Sequence, residues 1–180
     1  MIKIYSLEPF YFNKNGDQGN IEVLVQQLGK QNKKYKIVDE PESADFVLIG
    51  DCSNAVLEEF SKPLSKLRKS ISKRWEKGLP TLLVGSAYEF FAAELGLEPK
   101  QVQRESKFVT TGDGHFGYRN SDKDLPACLV QGSFIATSLF GPILAKNPQL
   151  LEKVLKDLGA DLSLSAEALG WIEAIRSKNG

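Results

Sequence analysis

The segment from Pro80 to Glu89 has the arrangement in which an enzyme can expose a nucleophile. Its first half, PTLLV, is a short and continuously apolar run that predicts a buried central strand. Gly85-Ser86-Ala87 follows at once, before a helical pattern from about Tyr88 to Leu95, so residues 84–86 are predicted to form a sharp strand-to-helix elbow. The central residue of such an elbow commonly takes a positive φ, which glycine adopts without penalty. We therefore predict a positive φ at Gly85.

Two polar turns follow other predicted strands of the same kind. Asn15 to Asn20 (NGDQGN) comes after an apolar run at 2–7, and Gly50 to Asn54 (GDCSN) comes directly after FVLI at 46–49. In open α/β sheets, sites form outside the carboxyl ends of the strands, where such turns meet. We therefore expect both turns to approach the elbow.

The first half of the chain alternates strand-like and helix-like patterns. Strands are predicted at 2–7, 35–38, 46–49 and 80–84, and helices at about 21–28 and 56–75. Pro63 is expected to interrupt the first turns of the long helix, and Gly78 to end it. Strands that alternate with helices predict a parallel sheet with crossover helices on its faces.

The second half of the chain has a different pattern. From 102 to 138, short β-like runs are separated by turns rich in glycine and aspartate, which predicts antiparallel strands added to the central sheet. Two helices are predicted to follow, at about 147–158, ending at Gly159, and at about 165–177, where Ser165 and Glu167 mark a capped start. Without internal repeats or low-complexity segments, residues 1–180 are expected to form a single α/β domain, mostly parallel and flanked by helices.

The charges of the chain are balanced, with 23 lysine and arginine residues against 23 aspartate and glutamate residues. Such a chain has no overall field to attract nucleic acid or an anionic membrane, so neither is an expected partner. The N-terminus begins with a strand-like run and lacks a signal-peptide core, and no apolar run approaches the roughly 20 residues of a membrane span. A cytoplasmic location is predicted.

A series of basic residues follows one face of the long predicted helix. Apolar residues lie opposite, so we interpret the series as a solvated outer face. Contact with a membrane surface or with an acidic partner is the alternative interpretation. The series comprises Lys62, Lys66, Arg68, Lys69, Lys73, Arg74 and Lys77.

Cysteine and histidine are scarce. Cys52 and Cys128 are the only cysteines and lie far apart in sequence, which argues against a disulfide framework or a four-ligand zinc site. Both are expected to be buried, reduced thiols, with a reactive thiol as the alternative for Cys52. His115 is the one histidine, and its Gly-Asp-Gly-His turn predicts a surface loop.

Motifs at both ends of the domain carry a family resemblance. Gly16 to Asn20 reads GDQGN, and Ala136 to Pro142 reads ATSLFGP, followed by Lys146-Asn147-Pro148. In their order and spacing, over about residues 4–158, the chain resembles the class I glutamine amidotransferases of the CobB/CobQ and GatD kind. The resemblance implies a flavodoxin-like fold, a cysteine nucleophile at the elbow, a later histidine base, and a loop after the strand at 46–49 that supplies the oxyanion hole.

The chain departs from this family at both catalytic positions. Gly85 stands where the resemblance places the cysteine, and Phe140 stands where it places the histidine. Amide hydrolysis by this route needs a thiolate to form a thioester and an imidazole to activate the thiol and protonate the leaving ammonia. Glycine and phenylalanine can do neither, so no glutaminase activity is expected, while any other activity stays open.

The candidate binding residues gather at the predicted elbow and at the two polar turns. Ser86 as a substitute nucleophile would lack a neighbouring base. Asp17, Asp51 and Glu89 could form a metal or amine site, although solvated carboxylates are the simpler interpretation, and no metal or cofactor is predicted. The full set of candidates is Asp17, Asn20, Gly50, Asp51, Cys52, Gly85, Ser86, Tyr88, Glu89 and Phe140.

Two functions of different classes follow from these residues. The first is a catalytically inactive subunit that binds, holds or regulates a MurT-like ligase or a similar synthase, since the resemblance implies such a partner and a role in cell-wall synthesis. The second is a small-molecule binder or enzyme that reuses the emptied pocket, made roomier and more apolar by Gly85 and Phe140. A third possibility is a different alignment of the catalytic segments, which would make Cys52 and His115 the pair to test.

Overall fold

The central feature of the computed structural model, which describes residues 1–179, is a six-stranded sheet. Its strand order is β2-β1-β3-β4-β8-β7, and every neighbouring pair is parallel except β7 with β8. The prediction of a mostly parallel sheet is thereby confirmed. The strands are β1 (Ile2–Ser6), β2 (Tyr35–Ile37), β3 (Phe46–Ile49), β4 (Thr81–Val84), β7 (Cys128–Gln131) and β8 (Phe134–Thr137).

Helices cover both faces of this sheet. Side chains alternate along the strands, so that Tyr5, Val47 and Leu83 enter one apolar cluster while Ile4, Leu48 and Leu82 enter the other. Two buried faces account for the continuous apolar runs of β3 and β4. The helices are α1 (Gly19–Lys30), α2 (Asn54–Glu59), α3 (Ser61–Glu76), α4 (Ser86–Phe90), α5 (Ile143–Lys146), α6 (Pro148–Asp157) and α7 (Ala166–Asn179).

Helix boundaries follow the capping and breaking residues closely. The long predicted helix is two helices, α2 and α3, which meet at Phe60 because Pro63 has no N–H to bond the Glu59 carbonyl. Gly78 ends α3 with φ +61°, as predicted, and Gly159 follows α6 with φ +69°. The predicted elbow helix starts earlier, at Ser86, and gives way to a 3-10 helix at Ala92–Leu95.

The antiparallel strands were only partly predicted. β5 (Gln101–Thr110), β6 (Phe116–Lys123) and β9 (Leu139–Phe140) form a second, three-stranded sheet, and of the antiparallel strands only β7 extends the central sheet. The strands β5 and β6 form a long antiparallel hairpin, β6 also pairs with β9, and β9 follows β8 after a single residue. This connection brings the hairpin to the carboxyl end of the central sheet.

Arg74 corrects the interpretation of the basic helix face. Its side chain is buried, with 6% exposed, and donates hydrogen bonds to Thr81 Oγ1 (2.8 Å) and to the carbonyls of Ala44, Asp45 and Pro80 at 2.7–3.1 Å. Burial lowers the pKa of Arg74 to about 10, so the guanidinium stays charged at neutral pH. Arg74 therefore ties α3 to the chain segments that lead into β3 and β4.

The other basic residues of the series match the prediction. The lysines are exposed, and Arg68 is half-buried, where it forms an ion pair with Glu94 at 2.6 Å. Within residues 1–179, every helix is too short or too polar to cross a bilayer. The series is therefore a solvated helix face except at Arg74.

Candidate functional site

The elbow between β4 and α4 has the strained backbone predicted for it. Gly85 has φ +57° and ψ −117°, which confirms the positive φ and explains why glycine is tolerated there. Its N–H donates to the Thr137 carbonyl at 2.8 Å, and its carbonyl accepts the Glu89 N–H at 3.0 Å. These bonds fix the elbow between β8 and the start of α4.

Neighbouring side chains occupy the space beside Gly85. A Cβ atom at this position would lie 2.5 Å from Asp51 Oδ1 and 2.8 Å from Phe140 Cε1, both closer than a real Cβ contact allows. The Asp51 carboxylate and the Phe140 ring thus fill the volume into which a side chain at the elbow would project. The expectation of a roomier and more apolar pocket at this point was wrong, because a carboxylate closes it.

The Asp51 carboxylate is held by hydrogen bonds from two loops. Its Oδ1 accepts the Ser86 backbone N–H at 2.9 Å, and its Oδ2 accepts Asn15 Nδ2 at 2.8 Å. Ser86 Oγ in turn accepts the Cys52 N–H at 2.9 Å. Backbone N–H groups beside an elbow are the usual donors of an oxyanion hole. Here the N–H groups of Cys52 and Ser86 are bound by the protein's own side chains.

Asp17 supports this network from behind. It is fully buried, and its Oδ2 accepts the Asp51 N–H at 2.9 Å, while no residue within 1–179 pairs with its Oδ1. Burial raises the pKa of Asp17 to about 6, despite the opposing hydrogen bond from Asp51. A neutral Asp17 at mildly acid pH follows from this environment.

Asn20 and Gly50 complete the support. Asn20 donates to the Asp17 carbonyl at 2.9 Å and accepts the Leu144 N–H at 2.9 Å, which joins the opening loop to α5. A Cβ at Gly50 would collide with the carbonyl of Phe12, so only glycine fits between the two loops. Both candidates therefore act through packing, and neither faces open space.

A polar cleft of about 390 Å³ lies between the elbow and the β5–β6 hairpin. Six of the ten predicted candidates line it: Asp51, Cys52, Gly85, Ser86, Glu89 and Phe140. Tyr88 does not, because its side chain is fully buried on the inner side of α4, where its hydroxyl has no hydrogen-bond partner among residues 1–179. Its place among the pocket residues was an error. Asp17, Asn20 and Gly50 also lie outside the lining.

Several lining residues escaped prediction. The hairpin supplies one wall of the cleft, and Lys14 and Asn15 supply part of its edge. The hairpin carries no motif. Its position depends on the pairing of β9 with β6, which no local sequence pattern predicts. Its contributions are Gln101, Arg104, Asn120, Ser121, Asp122 and Lys123.

The cysteines are free thiols in different environments. Cys52 is buried as predicted, with its Sγ 3.3 Å from Ser86 Oγ, and burial raises the pKa of its thiol. Cys128 is half-buried, less enclosed than predicted, and burial raises its pKa to about 12. Neither environment favours a thiolate at neutral pH.

His115 corrects a further prediction. It is only 6% exposed, because its turn folds back through a hydrogen bond between the Thr111 N–H and the His115 carbonyl, and the adjoining Phe116 is pinned to Asn147. Burial lowers the pKa of His115. It does not line the cleft, so it has no access to Cys52 or Ser86 from there.

The carboxylates do not form a metal centre. Within the part of the chain that the structure describes, no group of three or more His, Cys, Asp or Glu side chains could hold a metal ion. Asp51 and Glu89 both line the cleft, but Asp17 lies behind the backbone of Asp51. Of the three carboxylates in the alternative metal or amine site, Asp51 and Glu89 line the same cleft and Asp17 does not.

Comparison with known proteins agrees with this architecture. No family model matches the chain. It is 24% identical over 202 residues to the GatD subunit of the lipid II isoglutaminyl synthase (glutamine-hydrolyzing) of Staphylococcus aureus (strain N315), covering 86% of this chain and 83% of that protein.

Two solved structures share the fold at 15% identity, each with a TM-score of 0.50. One is a glutamine amidotransferase from Thermotoga maritima, covering 87% of this chain and 83% of the other. The second is a candidate GMP synthase component from Thermoplasma acidophilum, covering 99% of this chain and 97% of the other. The predicted amidotransferase fold and the predicted likeness to GatD are both confirmed.

Proposed function

We propose that this GatD-like glutamine amidotransferase domain does not hydrolyse glutamine and serves as a binding, scaffold or regulatory subunit of a MurT-like ligase or a similar synthase. The observation that carries the proposal is the Asp51 carboxylate, whose Oδ1 lies 2.5 Å from the position of a Cβ at Gly85. An elbow nucleophile would need that space. A buried carboxylate there would also repel a developing oxyanion.

The remaining side chains of the cleft do not replace the missing chemistry. Ser86 Oγ accepts the Cys52 N–H, and among residues 1–179 no imidazole lines the cleft to take its proton. The Cys52 thiol has a raised pKa and lies against a serine rather than a base. Loss of a catalytic pair costs several orders of magnitude in rate. Glutamine hydrolysis at a biologically useful rate is therefore not expected.

The proposed ligase partner is inferred from the similarity to the GatD subunit. The matched protein is a subunit of a larger synthase, and the chain matches it over most of both lengths. A domain that keeps the fold but not the nucleophile can still take part in such an assembly. We infer a ligase partner and a role in cell-wall synthesis on this basis.

A restoration series tests the inactive elbow. In the Gly85→Cys, Phe140→His double variant, Asp51 still abuts the new side chain, so ammonia release from glutamine should stay at the level of the wild type. Any gain should appear only when Asp51→Gly is added to the double variant. Each protein is assayed at high concentration, with a folding check by circular dichroism. Activity of the double variant with Asp51 intact would contradict the role assigned to that carboxylate.

Size-exclusion chromatography with a purified MurT-like ligase tests the subunit role. Wild type and the double variant should both co-elute with the ligase in equal proportion, since both substituted positions lie inside the cleft. Separate elution of wild type at micromolar concentrations would contradict the proposed partnership.

A second role, the binding of a small molecule, is favoured by the cleft itself. Its volume of about 390 Å³ falls within the roughly 300–1,000 Å³ typical of ligand sites, and charged residues line it.

A further inference from the structure

Five exposed lysines form a straight line along α3. They follow one another at spacings of four, three, four and four residues. On an α-helix these spacings keep the side chains within an arc of about 80° and over a length of about 22 Å. All five residues are exposed, and the last of them directly follows the final turn of α3. We call this line the lysine stripe: Lys62, Lys66, Lys69, Lys73 and Lys77.

The domain itself does not neutralise the lysine stripe. None of the five lysines forms an ion pair with any of residues 1–179. Glu76 is the one acidic residue of α3, and its carboxylate accepts the Ser72 hydroxyl at 3.4 Å. The stripe is therefore a continuous band of positive charge that an external anion can reach.

A hollow beside α3 gathers the middle of the stripe. Lys66, Lys69 and Lys73 line a space of about 350 Å³, to which the described part of the chain contributes one carboxylate, that of Glu42. Arg74 adds a fourth cation to this lining. Four cations against one anion favour an anionic group in the hollow.

The opposite side of α3 is fixed to the domain. Leu64 and Ile71 are fully buried there, and Leu67 and Trp75 pack against the same apolar cluster. The helix therefore cannot turn an apolar face into a bilayer, as an interfacial helix does. It presents the lysine stripe on a rigid, convex surface, from which all five side chains can reach one plane.

The balanced total charge of the chain does not prevent a local attraction. Charges more than about 8 Å apart are largely screened at physiological ionic strength, and this distance is shorter than the stripe. An anionic surface beside α3 therefore interacts with the lysines rather than with the sum of all charges. The expectation of no membrane partner depended on that sum.

We propose that the lysine stripe of α3 binds reversibly to the surface of an anionic lipid membrane. A membrane offers the complementary charge continuously over a plane, so it meets all five lysines without further matching. An acidic protein would need carboxylates aligned over the same length. Nucleic acid would gain from exposed aromatic rings, but the stripe is flanked by Ser65, Ser70 and Ser72.

This peripheral binding goes beyond the proposed subunit role and does not depend on it. None of the five lysines lines the cleft beside the elbow. Activity or inactivity of the elbow therefore leaves the proposal unchanged.

Co-sedimentation of the full chain with vesicles tests the proposal. Vesicles of equal parts phosphatidylglycerol and phosphatidylcholine are anionic, and phosphatidylcholine vesicles are the neutral control. We expect binding to the anionic vesicles at least about tenfold tighter at about 50 mM salt, and its loss at about 500 mM salt, because the attraction is screened. Equal binding to both vesicles, no binding to the anionic ones, or binding that salt does not weaken would overturn the proposal.

A triple variant locates the binding surface on α3. Lys66→Gln, Lys69→Gln, Lys73→Gln should weaken binding to the anionic vesicles about a hundredfold, because each lysine near an anionic surface contributes about fivefold. All three positions are exposed, so the variant should fold, which circular dichroism checks. Unchanged binding by the folded variant would overturn the proposal.

A second triple variant separates the stripe from the total charge. Lys34→Gln, Lys153→Gln, Lys156→Gln removes three exposed lysines outside α3 and gives the same net charge. Its binding should stay within about twofold of the wild type, because distant charges are screened. An equal loss in both variants would overturn the assignment to the stripe. Binding of wild type to poly-L-glutamate or to oligodeoxythymidylate, with none to the anionic vesicles, would assign the stripe to a different polyanion and overturn the membrane proposal.

Discussion

Two ionic side chains are buried at opposite ends of the central sheet, and they illustrate different uses of a buried charge. Arg74 lies where the chain enters β3 and β4, and Asp51 lies where β3 ends. Arg74 donates to the oxygens of four residues, and Asp51 accepts one backbone N–H and one side-chain amide. Both charges are therefore compensated by hydrogen bonds.

The two charges differ in which end of the strands they occupy. Arg74 fixes chain segments at the amino ends of the strands, where α/β folds seldom build sites, and its role is structural. Asp51 stands at the carboxyl ends, in the space beside the elbow and at the edge of the cleft. Burial of a charge does not by itself identify a functional site. A position at the carboxyl ends of the strands is the better guide.

The largest expected effect on stability is at Arg74, at the amino ends of the strands. Arg74→Met removes the side-chain donor of the Ala44, Asp45 and Pro80 carbonyls, and within residues 1–179 only Pro80 keeps a backbone donor, the Val47 N–H at 3.2 Å. The free energy of unfolding should therefore fall by about 4 kcal/mol. Urea denaturation measures the change. Lys69→Met, which removes an exposed charge from the same helix, is the matched control and should cost less than about 1 kcal/mol. Similar losses in the two variants would contradict the structural role of Arg74.

The next effect is the pH dependence introduced by Asp17. Its pKa is raised from 3.8 to about 6 in the folded protein, so the folded state binds the proton more tightly than the unfolded state does. Wild-type stability should therefore fall, relative to Asp17→Asn, as pH rises from about 4 to about 6, by up to about 3 kcal/mol. Urea denaturation of both proteins across this range measures the slope. A constant difference, or a rise with pH, would show that burial does not destabilise the Asp17 carboxylate.

A smaller effect is expected at the elbow itself. Asp51→Ala removes the acceptor of the Ser86 N–H and of Asn15, which should lower the free energy of unfolding by about 2 kcal/mol. Asp122→Ala removes a carboxylate from the hairpin wall of the same cleft, where Arg104 is largely exposed, and should cost much less than Asp51→Ala. If Asp51→Ala were as mild as its control, the carboxylate would not be what holds the elbow.

Much of this architecture could be predicted from local patterns. The parallel strands, the caps at Gly78 and Gly159 and the strained elbow at Gly85 all depend on nearby residues, and all were confirmed. Ser165 also caps α7 as predicted, its Oγ accepting the Ala168 N–H at 3.1 Å.

The errors came from long-range packing. Arg74 lies three residues after the buried Ile71, a spacing that could have indicated a buried position, but a cation there needs carbonyl partners that only the folded loops bring together. The burial of His115, the burial of Tyr88 and the hairpin wall of the cleft depend likewise on contacts between distant segments. Asp51 was predicted to lie near the elbow, but its occupation of the space beside Gly85 was not.

The most direct test of the inactive elbow is glutamine-dependent ammonia release by the wild-type protein, at high concentration, alone and with a MurT-like ligase present. The account predicts no ammonia above the background of a reaction without the protein in either condition. Release that disappears in Cys52→Ser would contradict it, because a thiol of this cleft would then be the nucleophile despite its raised pKa.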